Sequence, residues 1–118
     1  VRDRARVPGR WAGRTEVVEG DLILDHAFEE AVHDVDIVVH LAGVINLPVG
    51  REETYTRINL EGTQNLFNAV AEKGHKIRRF LYCSSVGVFG PLSALPACEA
   101  TPCNPSNAYE KSKYEEEK

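Results

Sequence analysis

The chain has 118 residues, 42 % apolar and 27 % charged, with 14 basic against 18 acidic side chains and a net charge of −4. That balance suits one ordinary globular domain or part of one. No basic stripe with interleaved aromatics argues for a nucleic-acid partner, and no apolar run approaches the ~20 residues that a membrane-spanning helix needs.

Taken in order, the chain opens on Val1 and a run of arginines (Arg2, Arg4, Arg6, Arg10, Arg14) that reads as a solvated loop. Glu16-Val17-Val18-Glu19 is a short strand candidate, stopped by Gly20-Asp21. Asp25 is a candidate cap for a helix over 27–33, whose Phe28, Ala31 and Val32 fall at helical spacing. Asp36-Ile37-Val38-Val39-His40-Leu41 is almost wholly apolar and runs into Ala42-Gly43. Such a run suits a strand buried on both faces of a parallel sheet.

A loop with Pro48 and Gly50 leads to a helix over 53–73, with Ile58, Leu66, Phe67 and Val70 on its buried side and Gly74 at its end. Gly62 inside that helix costs ~1 kcal/mol relative to Ala, which points to close packing there. The next strand covers 79–85, centred on Phe80 to Cys83. A proline-rich loop, 86–107, precedes a last helix that starts near Ala108 and runs to the end of the chain. A loop of that length is often functional.

Strand, helix, strand, helix, strand, loop, helix is the order of a parallel α/β sheet with right-handed crossovers. Ligands of such sheets bind beyond the carboxyl ends of the strands. Asp21, the Leu41-Ala42-Gly43 turn and Ser84-Ser85 all fall at those ends.

Tyr109 and Lys113 form Tyr-x-x-x-Lys, one helical turn apart on one face. A free phenol titrates near pH ~10, and a fixed ammonium beside it favours the phenolate and makes acid–base work feasible at neutral pH. Alone, the same spacing fits a solvated helix face. Cys83, Cys98 and Cys103 contain no Cys-x-x-Cys, which fits a reduced intracellular setting, with the cytoplasm as the expected location. His26, His33, His40 and His75 lack metal-ligand spacing, so no metal site is expected.

Five ordered motifs now stand together: Gly20-Asp21-Leu22, His40-Leu41-Ala42-Gly43, Asn59-Leu60-Glu61-Gly62-Thr63-Gln64-Asn65, Ser84-Ser85-Val86-Gly87-Val88-Phe89-Gly90, and Asn107-Ala108-Tyr109-Glu110-Lys111-Ser112-Lys113. Over residues 16–118 the chain resembles the extended short-chain dehydrogenase/reductases, the superfamily of NAD(P)-dependent sugar epimerases, dehydratases and 3β-hydroxysteroid dehydrogenases. The resemblance implies a partial Rossmann-type, doubly wound parallel sheet. The family's first strand and glycine-rich loop are lacking, because no G-x-x-G-x-x-G occurs anywhere in the chain. Residues 1–118 are then expected to be an incomplete NAD(P)-binding Rossmann domain, an internal fragment without the substrate-binding C-terminal part. By itself it is expected to bind cofactor poorly and to be inactive.

The resemblance also implies roles. Asp21 and Leu22 match the pair that meets the adenine ring. Leu41, Ala42 and Gly43 match the turn where small residues let backbone approach the cofactor. Asn59 matches the helix Asn that orders the nicotinamide half of the site. Ser85, rather than Ser84, matches the catalytic Ser/Thr that binds the substrate oxygen. Tyr109 matches the general acid/base, and Lys113 the residue that lowers its pKa and holds the nicotinamide ribose. Each also has a plainer reading as a turn, a helix Asn or a polar strand end.

Arg2 suggests the 2′-phosphate of NADP and Asp3 a ribose hydroxyl of NAD, so the two leave the cofactor open. Val86 and Gly87 stand where family 4,6-dehydratases carry Asp-Glu, which argues against a dehydratase. Phe89 in place of a common Tyr weighs slightly against an epimerase. An epimerase, a reductase or a hydroxysteroid-type dehydrogenase acting on a sugar nucleotide or similar alcohol or ketone remains open, with a non-catalytic dinucleotide-sensing module as the alternative. A homodimer through helices 53–73 and 108 onward is expected for the parent protein.

Overall fold

The structure is a computed structural model that describes residues 1–24, 28–92 and 95–118. Two 3₁₀ turns, Arg4–Arg6 and Gly9–Trp11, open the chain. Helix α1 is Phe28–Ala31, strand β1 Ile37–His40, helix α2 Glu52–Tyr55, helix α3 Gly62–Lys73, strand β2 Arg79–Tyr82 and helix α4 Ala108–Glu116. A π-helical segment, Thr56–Glu61, joins α2 to α3, so the expected helix over 53–73 is one continuous rod with a widened middle. The proposed cap Asp25 lies outside the described residues.

Strands β1 and β2 pair in parallel, with Val38 opposite Phe80 and His40 opposite Tyr82. Both are shorter than the sequence suggests, since each keeps ladder bonds only where the other is present. Segment 16–19 does not form a strand at all. It is held by Val1, whose amino group donates to the Val18 carbonyl and whose carbonyl accepts from Gly20 N–H, and by Arg4, whose guanidinium donates to the Val17 carbonyl at 2.7 Å. Only Val1 contributes backbone-to-backbone bonds among these, too few for a ladder.

The core is Val32, Leu66 and Ala69, with Phe28, Val38, Val70 and Phe80 packed against it. It lies between α1, α3 and one face of the sheet. The opposite face carries Ile37 (51 % exposed), Val39 (56 %) and Leu81 (50 %). The expectation of a strand buried on both faces therefore fails here, because the described helices pack on a single face. Phe67 is also exposed, contrary to its expected burial, although its ring meets Phe80 edge-on at 5.8 Å between centroids. Gly62, Leu66 and Ala69 form the buried row of α3 instead.

Gly62 makes the close contact its position suggests, since a Cβ there would stand 3.3 Å from Leu22 Cβ. Gly74 caps α3 with φ of −83°, outside the left-handed region. What requires glycine at 74 is space, because a Cβ would overlap Ile77 and the Val70 carbonyl. At Gly90 both reasons apply: φ is +61°, and a Cβ would run into the Asn104 carbonyl.

Helix α4 ends at Glu116 rather than running to the last residue, with Glu117 as its C-cap. Its start is firmly built. Asn107 Oδ1 accepts the Glu110 N–H at 2.9 Å, and Glu110 Oε2 accepts the N–H groups of Ser106 (2.7 Å) and Asn107 (3.3 Å). This capping box occupies the orphan donors of the first turn and places Tyr109 inside it.

Candidate functional site

A cavity of about 450 Å³ opens at the carboxyl end of β1. Its wall contains Asp21, Leu22, Leu41, Ala42 and Gly43, the residues expected to meet the adenine half of a cofactor, together with Arg2. They come from two segments, 20–22 and the turn that follows β1. Asp21 is anchored locally, with Oδ1 accepting the Ile23 N–H at 2.9 Å. Arg2 reaches toward its carboxylate, 3.9 Å between charged atoms. Asp3 is not in the wall; its carboxylate caps the first 3₁₀ turn by accepting Ala5 N–H at 2.9 Å.

Asn59 sits in the π-helical segment and is fully buried. Its Oδ1 accepts the Val44 N–H at 2.7 Å, and its Nδ2 donates to the Val44 carbonyl at 3.2 Å and to Ser112 Oγ at 3.0 Å. Ser112 in turn donates to the Tyr109 carbonyl at 2.8 Å. Asn59 thus joins the 42–44 turn to α4, which a solvent-facing helix Asn does not do. A π-bulge is a frequent feature of functional sites because it re-aims one side chain.

Ser85 stands at the N-cap of the 3₁₀ turn Val86–Phe89, with Oγ accepting Gly87 N–H at 3.2 Å. Ser84 points elsewhere, its hydroxyl engaged by Glu117. Strand β2 ends at Tyr82, so the alternation expected of the pair does not apply, and both serines border one depression. The Ser85 turn rests on α4: a Cβ on Gly87 would stand 2.9 Å from Glu110 Cγ. The hydrogen bonds from Ser106 hold the Glu110 carboxyl below the usual carboxylate range.

Tyr109 lines a second cavity, about 310 Å³, with Asn46, Leu47, Glu52 and Tyr55. Its ring lies 5.8 Å from that of Tyr55, centroid to centroid, and Tyr55 Oη accepts the Leu47 N–H at 2.8 Å. Asn46 adopts φ of +55°, a backbone state that Asn tolerates better than most residues. Ser85 lines a different depression, beside Val88, Thr101 and Cys103.

Lys113 points inward. Its ammonium lies 3.3 Å from Glu116 Oε2 and 4.3 Å above the Tyr82 ring, and its side chain is only 7 % exposed. Glu116 Oε2 also accepts from Thr63 Oγ1 at 2.9 Å, and Thr63 meets His40 Nε2 at 2.7 Å. Burial holds the His40 imidazole below its ordinary pKa, a trend that Glu116 opposes and Lys113 reinforces. Burial, with the Glu116 carboxylate beside it, pushes the Tyr82 phenol well up.

Tyr55, Thr63, Glu116 and Tyr82 were given no site role from sequence, although Thr63 falls in the 59–65 motif and Tyr82 in the strand. Thr63 and Glu116 are polar residues on faces of α3 and α4 that meet only in the tertiary structure. Glu116 is one of three consecutive glutamates, so nothing local marks it.

The model of the NAD dependent epimerase/dehydratase family matches residues 1–118. The chain belongs to that family. It is similar to a short-chain dehydrogenase/reductase superfamily protein from Agrobacterium tumefaciens solved with bound NAD, at 29 % identity and a TM-score of 0.79, covering 90 % of this chain and 32 % of that one. It is similar to a UDP-glucose 4-epimerase from Bifidobacterium longum in complex with NAD+ and UDP, at 29 % identity and a TM-score of 0.73, covering 84 % and 30 %. RMD from Pseudomonas aeruginosa, complexed with NADPH, is 33 % identical with a TM-score of 0.69, covering 84 % and 35 %. The chain thus spans about a third of the length of these proteins. Its two-stranded parallel sheet with flanking helices is part of a Rossmann-type α/β fold of the extended short-chain dehydrogenase/reductase kind. Among the described residues no helix is long and apolar enough to cross a membrane.

Proposed function

We propose that the protein carrying this chain is an NAD(P)-dependent epimerase or oxidoreductase that moves hydride at a hydroxyl or carbonyl carbon of a sugar nucleotide or similar alcohol or ketone. The observation that carries the reading is the cavity at the end of β1. It gathers Asp21, Leu22, Leu41, Ala42 and Gly43 from two segments in a chain that matches the family throughout.

The cavity suits the adenosine end of a dinucleotide. It offers a carboxylate for an exocyclic amine, an apolar wall, and a turn of small residues with backbone close at hand. Arg2 in the wall, with Asp3 turned to a capping role, biases this end toward a 2′-phosphate and hence toward NADP.

The cofactor, when bound, supplies the hydride acceptor or donor. Tyr109 moves the proton on or off the substrate oxygen, and its place in the capped first turn of α4 keeps the phenol in the cavity shared with Tyr55. Ser85 Oγ, fixed as an N-cap, is assigned by the family resemblance as the hydrogen-bond partner of that oxygen, although it borders a different depression from Tyr109. Lys113, whose ammonium rests on Glu116 and the Tyr82 ring, is assigned by the family resemblance to hold the nicotinamide ribose.

The test is Tyr109→Phe in the full-length protein. Turnover is expected to fall by about 10²–10⁴-fold, the usual worth of a general acid/base, while NAD(P) binding persists. Undiminished turnover would overturn the assignment. If the wild-type protein binds NAD(P) with no turnover on any of a panel of sugar nucleotides, alcohols and ketones, a dinucleotide-sensing module is the better description.

A further inference from the structure

The buried charge on α4 has a partner set of its own. Glu116 has no exposed side-chain surface, and Lys113 has almost none. One oxygen of Glu116, Oε2, accepts from both Thr63 and Lys113; the other, Oε1, is buried without a hydrogen-bond partner. The Thr63 hydroxyl has one proton, which it gives to Glu116, so it accepts from His40 Nε2–H. The bonds therefore run in one direction: His40 to Thr63, Thr63 to Glu116, with Lys113 closing on the same carboxylate.

Burying a carboxylate costs several kcal/mol unless a cation and hydrogen bonds offset it. This set brings four elements to one point: β1 through His40, α3 through Thr63, β2 through the Tyr82 ring, and α4. We infer that Glu116 is a positioning residue for Lys113. Its carboxylate, oriented by Thr63 and His40, holds the ammonium against Tyr82 and so sets what Lys113 presents to Tyr109, one helical turn away. His40 also lines the cavity at the end of β1, so the chain of bonds begins at the wall where the cofactor's adenosine end is placed. The catalytic part of this inference rests on the proposed function; the structural part does not.

The experiment uses the full-length protein with Glu116→Gln, which keeps size and can still accept from Thr63 but removes the charge. Two quantities are read: kcat and KM for the substrate, and acylation of Lys113 by a small amine-reactive reagent, measured by mass spectrometry against the exposed Lys111 in the same molecules. Expected are a fall in kcat of about tenfold or more with KM little changed, and a severalfold rise in Lys113 labelling. The conservative Thr63→Ser keeps wild-type values, whereas Thr63→Val moves both quantities the same way by a smaller amount. A merely structural ion pair would lower stability without separating kcat from KM.

Wild-type kcat, or wild-type labelling of Lys113, in E116Q overturns the inference. Should E116Q not fold, the two Thr63 variants decide it on the same two readings. Tyr109→Phe is run alongside. If it stays fully active, the proposed function fails, and the labelling result still decides whether Glu116 holds Lys113.

Discussion

Asn59 grips Val44 by both backbone groups, taking its N–H at 2.7 Å and giving an N–H to its carbonyl at 3.2 Å. The same side chain donates to Ser112, so one buried amide ties the turn after β1 to α4. Asn59→Ala removes three hydrogen bonds and leaves both backbone groups of the half-buried Val44 without this partner. It is expected to destabilise by about 2–4 kcal/mol. Urea unfolding reads this as a lower midpoint. Asn59→Asp keeps the acceptor for Val44 N–H but loses the amide donor, and should unfold at a midpoint between the two. A midpoint at the wild-type value for Asn59→Ala would mean that the grip contributes nothing.

His40 makes stability depend on pH. Its folded pKa lies below the ordinary imidazole value of 6.5, chiefly because it is buried. Between the two values the unfolded chain binds a proton that the folded chain refuses. Its contribution is therefore intact above the ordinary imidazole value. It declines as pH falls below that value toward the folded one. Thermal unfolding measured from pH 7.5 down to 5 should show a falling Tm. His40→Gln, whose amide can still donate to Thr63, should have a flatter profile over the same range. Parallel slopes for the two proteins would assign the effect to other groups.

Arg2 is a cationic group that the structure places in the wall of the cavity at the end of β1, alongside Asp21. On the proposed reading, Arg2→Ala in the full-length protein weakens NADPH by about tenfold, the worth of one exposed charge-assisted contact to a phosphate. NADH, which lacks the 2′-phosphate, should be nearly unaffected. Fluorescence titration of both cofactors gives the ratio directly. An unchanged ratio would remove Arg2 from any part in cofactor choice.

Local order set much of this molecule. Val38 and Phe80 sit in strands because β-branched and aromatic runs are bounded by turn residues, and α4 begins at Ala108 because Asn107 and Glu110 form a capping box whatever surrounds them. Asp21 was expected beside Leu41, Ala42 and Gly43 as strand ends at one edge; they do share a cavity wall, although 16–19 is not a strand and Ser85 borders a different depression. Other features depended on what lies across from a residue. Ile37 and Val39 carry the composition of a two-sided strand, yet helices cover only one face, and burial is a property of the partner rather than of the run. Segment 16–19 has strand composition, yet it is held by the Val1 backbone and the Arg4 side chain, and these do not make a ladder. Tyr109 and Lys113 share a helical turn by spacing alone. That the Lys113 ammonium rests on Glu116 and the Tyr82 ring, and that Thr63 and His40 orient that carboxylate, was decided by the packing of α3, α4 and the sheet. No periodicity along the chain encodes it, because side-chain charges pair through space at a few ångströms, over sequence separations of up to 53 residues.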